Sequence, residues 1–119
     1  MDRRIKAVLQ LLQQDEPNSV RVRELASRFR LGVSQLEHLF KRDTKMSIRD
    51  FVRERRLAAA ADMLVRTEEP VGLIGHRAGF PDVSNFNHAF KKHFGMTPRQ
   101  YRDHHFLSNY DQATAGSTK

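Results

Sequence analysis

The sequence predicts an all-α fold of about seven helices. Apolar residues recur every three or four positions along most of the chain, and no segment alternates convincingly at period two. Four prolines and six glycines in 119 residues interrupt this helical pattern. The segment Val33–Phe51 also returns 50 residues later as Val83–Tyr101, with seven of nineteen positions identical. Such a repeat is typical of a chain that carries one supersecondary unit twice.

The first four helices follow from apolar stripes and from the residues that interrupt them. A helix from about Asp2 to Gln14 ends before a polar segment that contains proline. Shorter helices are expected over about Val22–Phe29 and Val33–Thr44, separated by a tight turn. The fourth, from Ser47 to Arg66, opens with the capping box Ser47-x-x-Asp50 and is rich in strong helix formers.

The last three helices are bounded by clear start and stop signals. Two are expected over about Val71–Ala78 and Val83–Phe94; a glycine ends each, and Asp82 is placed to cap the second. The seventh begins with the capping box Thr97-Pro98-x-Gln100, which has proline at the first helical position, and runs to about His105.

Each copy of the repeat contains a short helix, a tight turn and a second helix, which together form a helix-turn-helix. Two helices that cross this closely need a small residue where they touch, and Ala26 and Gly75 occupy equivalent positions. The second helices share an apolar stripe at helical spacing, expected in the core: Leu36, Leu39 and Phe40 in the first copy, and Phe86, Ala89 and Phe90 in the second.

The outer faces of these second helices are also similar, although each could simply be a solvated surface. Folding requires only the apolar stripe to recur, so the return of serine, histidine and lysine on the outer face favours a functional surface. These outer residues are Ser34, Glu37, His38 and Lys41 in the first copy, and Ser84, Asn87, His88 and Lys91 in the second.

The charge of the chain favours a polyanionic partner. Lysine and arginine outnumber aspartate and glutamate by 21 to 14, giving a net charge of +7. Charge alone does not distinguish DNA, RNA and an anionic membrane surface. The predicted helix from Ser47 to Arg66 would be about 30 Å long, close to the roughly 34 Å between successive major grooves on one side of B-DNA. This length favours duplex DNA.

These residues resemble the AraC/XylS family of bacterial transcription regulators. The resemblance covers about Ile5 to His105, and the segment ASRFRLGVSQLEHLFK of the first copy is also similar. The second copy carries the family pattern as Ile74-Gly75, Ala78 to Phe86, Ala89 to Lys92, Phe94-Gly95, Thr97-Pro98 and Tyr101-Arg102.

The resemblance implies a homeodomain-like arrangement of two helix-turn-helix lobes. The DNA-binding domain would cover residues 1–107, with lobes at 1–46 and 68–107 and a linker helix at 47–67. The polar tail, 108–119, is expected to be disordered. A recognition helix from each lobe, helix 3 and helix 6, would enter adjacent major grooves.

The resemblance also implies which residues contact DNA. Asn85 can bridge adenine N6 and N7, Val83 can touch a thymine methyl group, and Glu37 could help only by accepting from cytosine N4 or by orienting a neighbour. The expected base contacts are Ser34, Glu37, His38, Val83, Ser84, Asn85 and His88. The expected phosphate contacts are Lys41, Arg42, Lys91 and Lys92.

The function implied is sequence-specific binding of double-stranded DNA by a transcription regulator, with activation as its expected role and RNA polymerase as a partner. The DNA-binding domain is expected to be monomeric, to need no cofactor and to act in the bacterial cytoplasm at the nucleoid. The sequence shows no sensor, which leaves open a small regulator controlled by its abundance or a fragment of a longer, ligand-responsive protein.

Two other classes of function are weaker alternatives. One is a basic helical module that binds RNA or protein. RNA recognition usually uses exposed aromatic residues or a sheet platform, whereas the aromatic residues here fall mainly on core stripes. For an enzyme or metal protein, the pairs His88/His93 and His104/His105 have spacings that do not place two ligands on one helical face, and there is no cysteine. We therefore expect neither a catalytic nor a metal site.

Three departures from the family pattern predict that the two lobes differ. Arg30 stands in the turn where glycine is usual, as Gly79 does in the second copy, and a left-handed arginine would cost on the order of 1 kcal/mol. Arg21 stands where a serine, threonine or aspartate cap is usual. Gly72 and Gly75 weaken the fifth helix.

Overall fold

The computed structural model describes residues 1–14 and 21–106. Within these ranges it contains seven helices and no strand, so the all-α prediction is confirmed. The predicted tail lies outside the described residues. The helices are α1 (Arg3–Gln14), α2 (Val22–Arg28), α3 (Val33–Thr44), α4 (Ile48–Arg66), α5 (Val71–Arg77), α6 (Val83–Phe94) and α7 (98–106).

The chain divides into two compact units, Met1–Arg56 and Leu57–Lys119. The boundary falls inside α4, which therefore contributes to both cores. Ile48 and Val52 from its first half belong to the core of the first unit, whereas Leu57 and Leu64 from its second half belong to the core of the second. Because α4 supplies apolar residues to each core, it is shared by the two units.

The core of the first unit is mostly aliphatic. Apolar residues from α1, α2, α3 and the start of α4 form one buried cluster, and the rings of Phe40 and Phe51 meet edge to face with centroids 5.7 Å apart. The buried members are Ile5, Val8, Leu12, Leu25, Ala26, Leu36, Phe40, Ile48 and Val52.

The core of the second unit is more aromatic. Phe86 and Phe90 are fully buried, and their rings meet at 5.7 Å between centroids. Phe90 in turn packs on Phe94 at 4.5 Å and on Tyr101 at 5.3 Å. This chain of rings ties α6 to α7, so packing inside the second unit fixes the direction of α6.

The turn inside each helix-turn-helix is closed by an equivalent hydrogen bond. The N–H of Leu31 donates to the carbonyl of Ala26 at 3.0 Å, and in the second unit the N–H of Phe80 donates to the carbonyl of Gly75 at 3.1 Å. This bond is the longer one of a Schellman motif, which requires a left-handed residue just after the helix. Arg30 holds that conformation with φ 56° where Gly79 has φ 93°, so the predicted departure at Arg30 is confirmed.

The close contact predicted at the small residues is present in the second unit. A Cβ atom added to Gly75 would lie 2.7 Å from the ring of Phe86. The first unit has Ala26 and Leu36 at the equivalent positions, both buried in the same cluster. A larger residue on α2 is thus matched by a smaller one on α3, which allows both pairs of helices to pack.

Most of the predicted caps form. Asp82 accepts a hydrogen bond from the backbone N–H of Asn85 at 2.7 Å, and Thr97 and Gln100 cap each other's backbone at 3.2 and 2.9 Å. Ser47 accepts from the N–H of Asp50 at 3.1 Å but lies just before α4 rather than inside it. Arg21 precedes α2 and supplies no side-chain cap, as its residue type predicts.

Candidate nucleic-acid interface

The outer face of α3 presents most of the residues expected to contact DNA in the first unit. Spacings of three and four residues place them on one side of the helix, opposite the buried side chains of Leu36 and Phe40. Glu37 is half-buried. The exposed members are Ser34, His38, Lys41 and Arg42.

The outer face of α6 presents a similar set at the start and middle of the helix. Val83 is 46% exposed, which leaves an apolar side chain in solvent beside polar neighbours. The other exposed members of the expected set are Ser84, Asn85, His88, Lys91 and Lys92. They lie opposite Phe86 and Phe90, which are fully buried, so the core holds this face in a defined orientation.

Asn87 is not on the outer face to the extent that the sequence analysis expects. The residue is half-buried, and its Oδ1 atom is buried without a hydrogen-bond partner among the described residues. The equivalent residue of the first copy, Glu37, is half-buried as well, so this position of the repeat is less exposed than its polar residues predict.

Sequence reasoning missed that Asp82 also orients the side chain of Asn85. Besides capping α6, the Asp82 carboxylate accepts a hydrogen bond from Asn85 Nδ2 at 3.0 Å. An asparagine amide has two N–H donors and a carbonyl acceptor, so one donor and the acceptor remain for another partner. The cap therefore restrains an amide that the sequence analysis places against adenine.

The two outer faces differ in charge. In α3, Lys41 and Arg42 share the helix with Glu37 and Asp43, and Arg42 Nε donates to Asp43 Oδ1 at 2.9 Å. This hydrogen bond, with a second from the backbone of Asp2, holds the pKa of Asp43 below its ordinary value, so the carboxylate stays charged.

In α6 the corresponding stretch contains no acidic residue. Lys92 stands in the place of Arg42, and His93 stands in the place of Asp43. The face of α6 is therefore the more positive of the two.

We also searched the described residues for a metal site and for a membrane-spanning helix. Residues 1–14 and 21–106 contain no cluster of three histidine, cysteine, aspartate or glutamate side chains able to hold a metal ion. No helix in the same ranges is long and apolar enough to cross a membrane.

The family model described as a helix-turn-helix domain matches residues 25–104, which include both turns and both outer faces. The chain belongs to the AraC-type helix-turn-helix family. Members of this family are DNA-binding domains of transcription regulators and not enzymes. The expected family, fold and class of protein are thereby confirmed.

One relative of this AraC-type domain is the HTH-type transcriptional activator RhaR of Mannheimia succiniciproducens. The two are 30% identical over 99 residues, which cover 83% of this chain and 36% of the relative. The chain thus spans about a third of the length of that regulator.

Two solved structures have the same architecture. The C-terminal domain of the two-component response regulator yesN from Fusobacterium nucleatum has 26% sequence identity and a TM-score of 0.71, with 82% of this chain and 95% of that chain covered. The DNA-binding domain of AdpA, solved in complex with a target DNA, has a TM-score of 0.77 with 90% and 96% covered. At 18% identity, the AdpA comparison shows the fold alone.

Proposed function

We propose that this AraC-type domain binds a specific sequence of double-stranded DNA and regulates transcription, with α3 and α6 entering adjacent major grooves. The DNA-binding domain would comprise residues 1–107, with lobes at 1–46 and 68–107 joined by the helix at 47–67. The DNA-binding domain would act as a monomer, at the nucleoid in the bacterial cytoplasm.

The observation that carries the proposal is the outer face of α6. Apart from half-buried Asn87, its polar side chains are exposed on the side of the helix away from fully buried Phe86 and Phe90, and the helix has no acidic residue to repel phosphates. A major groove admits one α-helix and presents donors, acceptors and thymine methyl groups to it. Asn85, His88 and Val83 provide a matching amide, imidazole and methyl group.

The contacts divide by chemistry into two classes. Ser34, Glu37 and His38 on α3 and Ser84 on α6 join the three readers just named as base contacts, with Glu37 restricted to an amino donor such as cytosine N4. Lysine and arginine near the helix ends neutralise phosphates and add affinity without sequence choice. This second class comprises Lys41, Arg42, Lys91 and Lys92.

We further propose that the protein activates transcription. The relative in Mannheimia succiniciproducens is named as a transcriptional activator. The match to it covers 83% of this chain and 36% of the relative. An activator bound beside a promoter would contact RNA polymerase, which we propose as the protein partner. A promoter fused to a reporter would then give more transcript when the protein is present.

Selection of binding sites from random duplexes tests the DNA-binding proposal. The recovered sequence should contain two conserved segments spaced by about one helical turn, roughly 10 base pairs. Affinity for the selected duplex should exceed that for its scrambled duplex, its single strands and an RNA of the same sequence. Equal binding to all four would show only electrostatic attraction, and tighter binding to RNA would favour the alternative module.

A further inference from the structure

The two units differ most in the charge of the first helix of each helix-turn-helix. Residues 21–30, which contain α2 and its flanks, carry four arginines and one glutamate. The equivalent residues 70–79 around α5 carry one arginine and no acidic residue. The correspondence is fixed by the matching turn hydrogen bonds, Arg30 to Ser27 and Gly79 to His76.

We propose that the first unit binds DNA phosphates through α2 and its flanks, with Arg21, Arg23, Arg28 and Arg30, whereas the second unit does so through α6. This inference rests on the proposed binding of duplex DNA and assigns phosphate contacts beyond Lys41 and Arg42. In each unit, a different helix of the same motif would supply the excess positive charge.

The first argument is the accessibility of these arginines. All four are exposed, and among the described residues none forms an ion pair. The one arginine at an equivalent position, Arg77, is held at 2.7 Å from both carboxylate oxygens of Glu69. The guanidinium groups of these four arginines are therefore more available to an external anion than that of Arg77.

The second argument is their arrangement. Arg21, Arg23 and Arg28 line one shallow groove on the surface of α2 together with Glu24 and Ser27. Leu25 and Ala26, on the other side of this helix, are buried in the core. The arginines thus converge on one open surface, where the single carboxylate of Glu24 leaves an excess of positive charge.

The third argument comes from backbone conformation. Arg30 and Lys45 are the two non-glycine residues with positive φ in the described part of the chain, and both are basic. Glycine occupies the corresponding position of the second unit in each case, at Gly79 and Gly95. The first unit therefore keeps a cation at two positions where glycine would relieve strain, and a strained residue of this kind is often retained for function.

The chemistry of arginine and the docking of this motif support phosphate as the ligand. A guanidinium group presents parallel N–H donors that match two phosphate oxygens. In helix-turn-helix proteins the first helix crosses the DNA backbone while the second lies in the major groove. Because Glu37 and Asp43 offset Lys41 and Arg42 on α3, the first unit needs cations from elsewhere to hold the backbone.

The test compares two variants of the full chain that lose the same charge. One is Arg21→Gln/Arg23→Gln/Arg28→Gln, and the control is Arg3→Gln/Lys6→Gln/Arg66→Gln, which removes exposed cations from α1 and from the far end of α4. Glutamine forms helices nearly as well as arginine, so both variants should melt close to wild type. Duplex affinity is measured against salt concentration for the selected site and for its scrambled version.

Each lost phosphate contact lowers the slope of log K against log salt by about 0.9. The α2 variant should therefore lose about 2 to 3 from this slope on both duplexes, whereas the control loses less than about 1. Equal slopes for the two variants would overturn the inference, and so would a loss confined to the selected duplex, which indicates base reading. If the triple variant unfolds, the single substitution Arg21→Gln, outside α2, should lower the slope by about 0.9.

Failure of this inference and failure of the proposed function give different results. If wild type shows no preference for duplex DNA over RNA, the proposed function itself is wrong. If wild type prefers the selected duplex but the α2 variant keeps its full salt dependence, only the assignment of phosphate binding to α2 is wrong.

Discussion

The two helix-turn-helix units have the same backbone conformation in the turn but different side chains at equivalent positions. The first has alanine on α2, leucine on α3 and two left-handed basic residues; the second has glycine on α5, phenylalanine on α6 and glycine at both left-handed positions. The same hydrogen bonds close both turns. The comparison shows that both copies keep complementary side-chain volumes and one left-handed residue in the turn. Their excess positive charge, however, lies on different helices.

The largest expected effect is a loss of binding free energy. It tests whether the outer faces of α3 and α6 contribute equally to base recognition. His88→Ala should lose about 1–3 kcal/mol of binding on the selected site and relax base preference there. The matched variant His38→Ala should lose less, because half-buried Glu37 lies beside it and α3 carries no net charge. Titration of both variants against every single-base substitution of the site measures this.

If His38→Ala and His88→Ala weaken binding by the same amount, the two faces are equivalent and the charge difference has no effect on reading. An equal loss from His88→Ala on random DNA would instead show that His88 does not contact a base edge.

A second prediction concerns the exchange of volume between the helices. Gly75→Ala should destabilise the second unit by about 1–2 kcal/mol, because the strain of overpacking at 2.7 Å from the buried Phe86 ring exceeds the helix-forming gain from alanine. Adding Phe86→Leu, which reproduces the pairing of the first unit, should recover part of this loss. Chemical denaturation of the single and double variants gives both values.

Phe86→Leu alone supplies the control, since it leaves a cavity beside Gly75 and should also destabilise. Greater stability of Gly75→Ala than of wild type would mean that the Phe86 ring moves away at little cost, and the volume argument would then fail.

A third prediction separates strain from charge at the turn. Arg30→Gly should stabilise the first unit by about 1 kcal/mol, because glycine adopts the left-handed conformation freely. The same substitution should weaken binding to every duplex if Arg30 contacts phosphate. Thermal unfolding and salt-dependent binding, measured on one preparation, report the two effects.

Arg30→Lys keeps the charge and the strain, so its stability and salt dependence should remain near those of wild type. Arg30→Ala removes the charge but keeps the strain, and should weaken binding without raising the melting temperature. An Arg30→Gly protein that melts below wild type would show that the arginine side chain stabilises the turn.

The smallest effect is expected from a single lysine. Lys91→Ala should lower the salt slope by about 0.9 and weaken binding to all sequences alike. Lys41→Ala on α3 should do less, because Glu37 lies one helical turn away and reduces the local positive potential. A slope that Lys91→Ala leaves unchanged would remove this residue from the phosphate contacts.

Much of the fold could be predicted because its signals are local. The expected bounds of α3 and α6 match the structure to the residue, and the sequence placed Arg30 where the second copy has glycine, the position that proves left-handed in both. The difference in charge between α2 and α5 can also be read from the amino-acid sequence. Aligning the turns rather than the second helices would have revealed it.

The sequence by itself determined the repeated motif, its helices and the polarity of their outer faces, because capping, turn conformation and helical periodicity depend on neighbours a few residues away. Only the tertiary structure decided that Asn87 is half-buried and that Arg77 is held by Glu69. Burial and pairing of this kind depend on which elements pack together. The periodicity of one helix does not show which other elements pack against it.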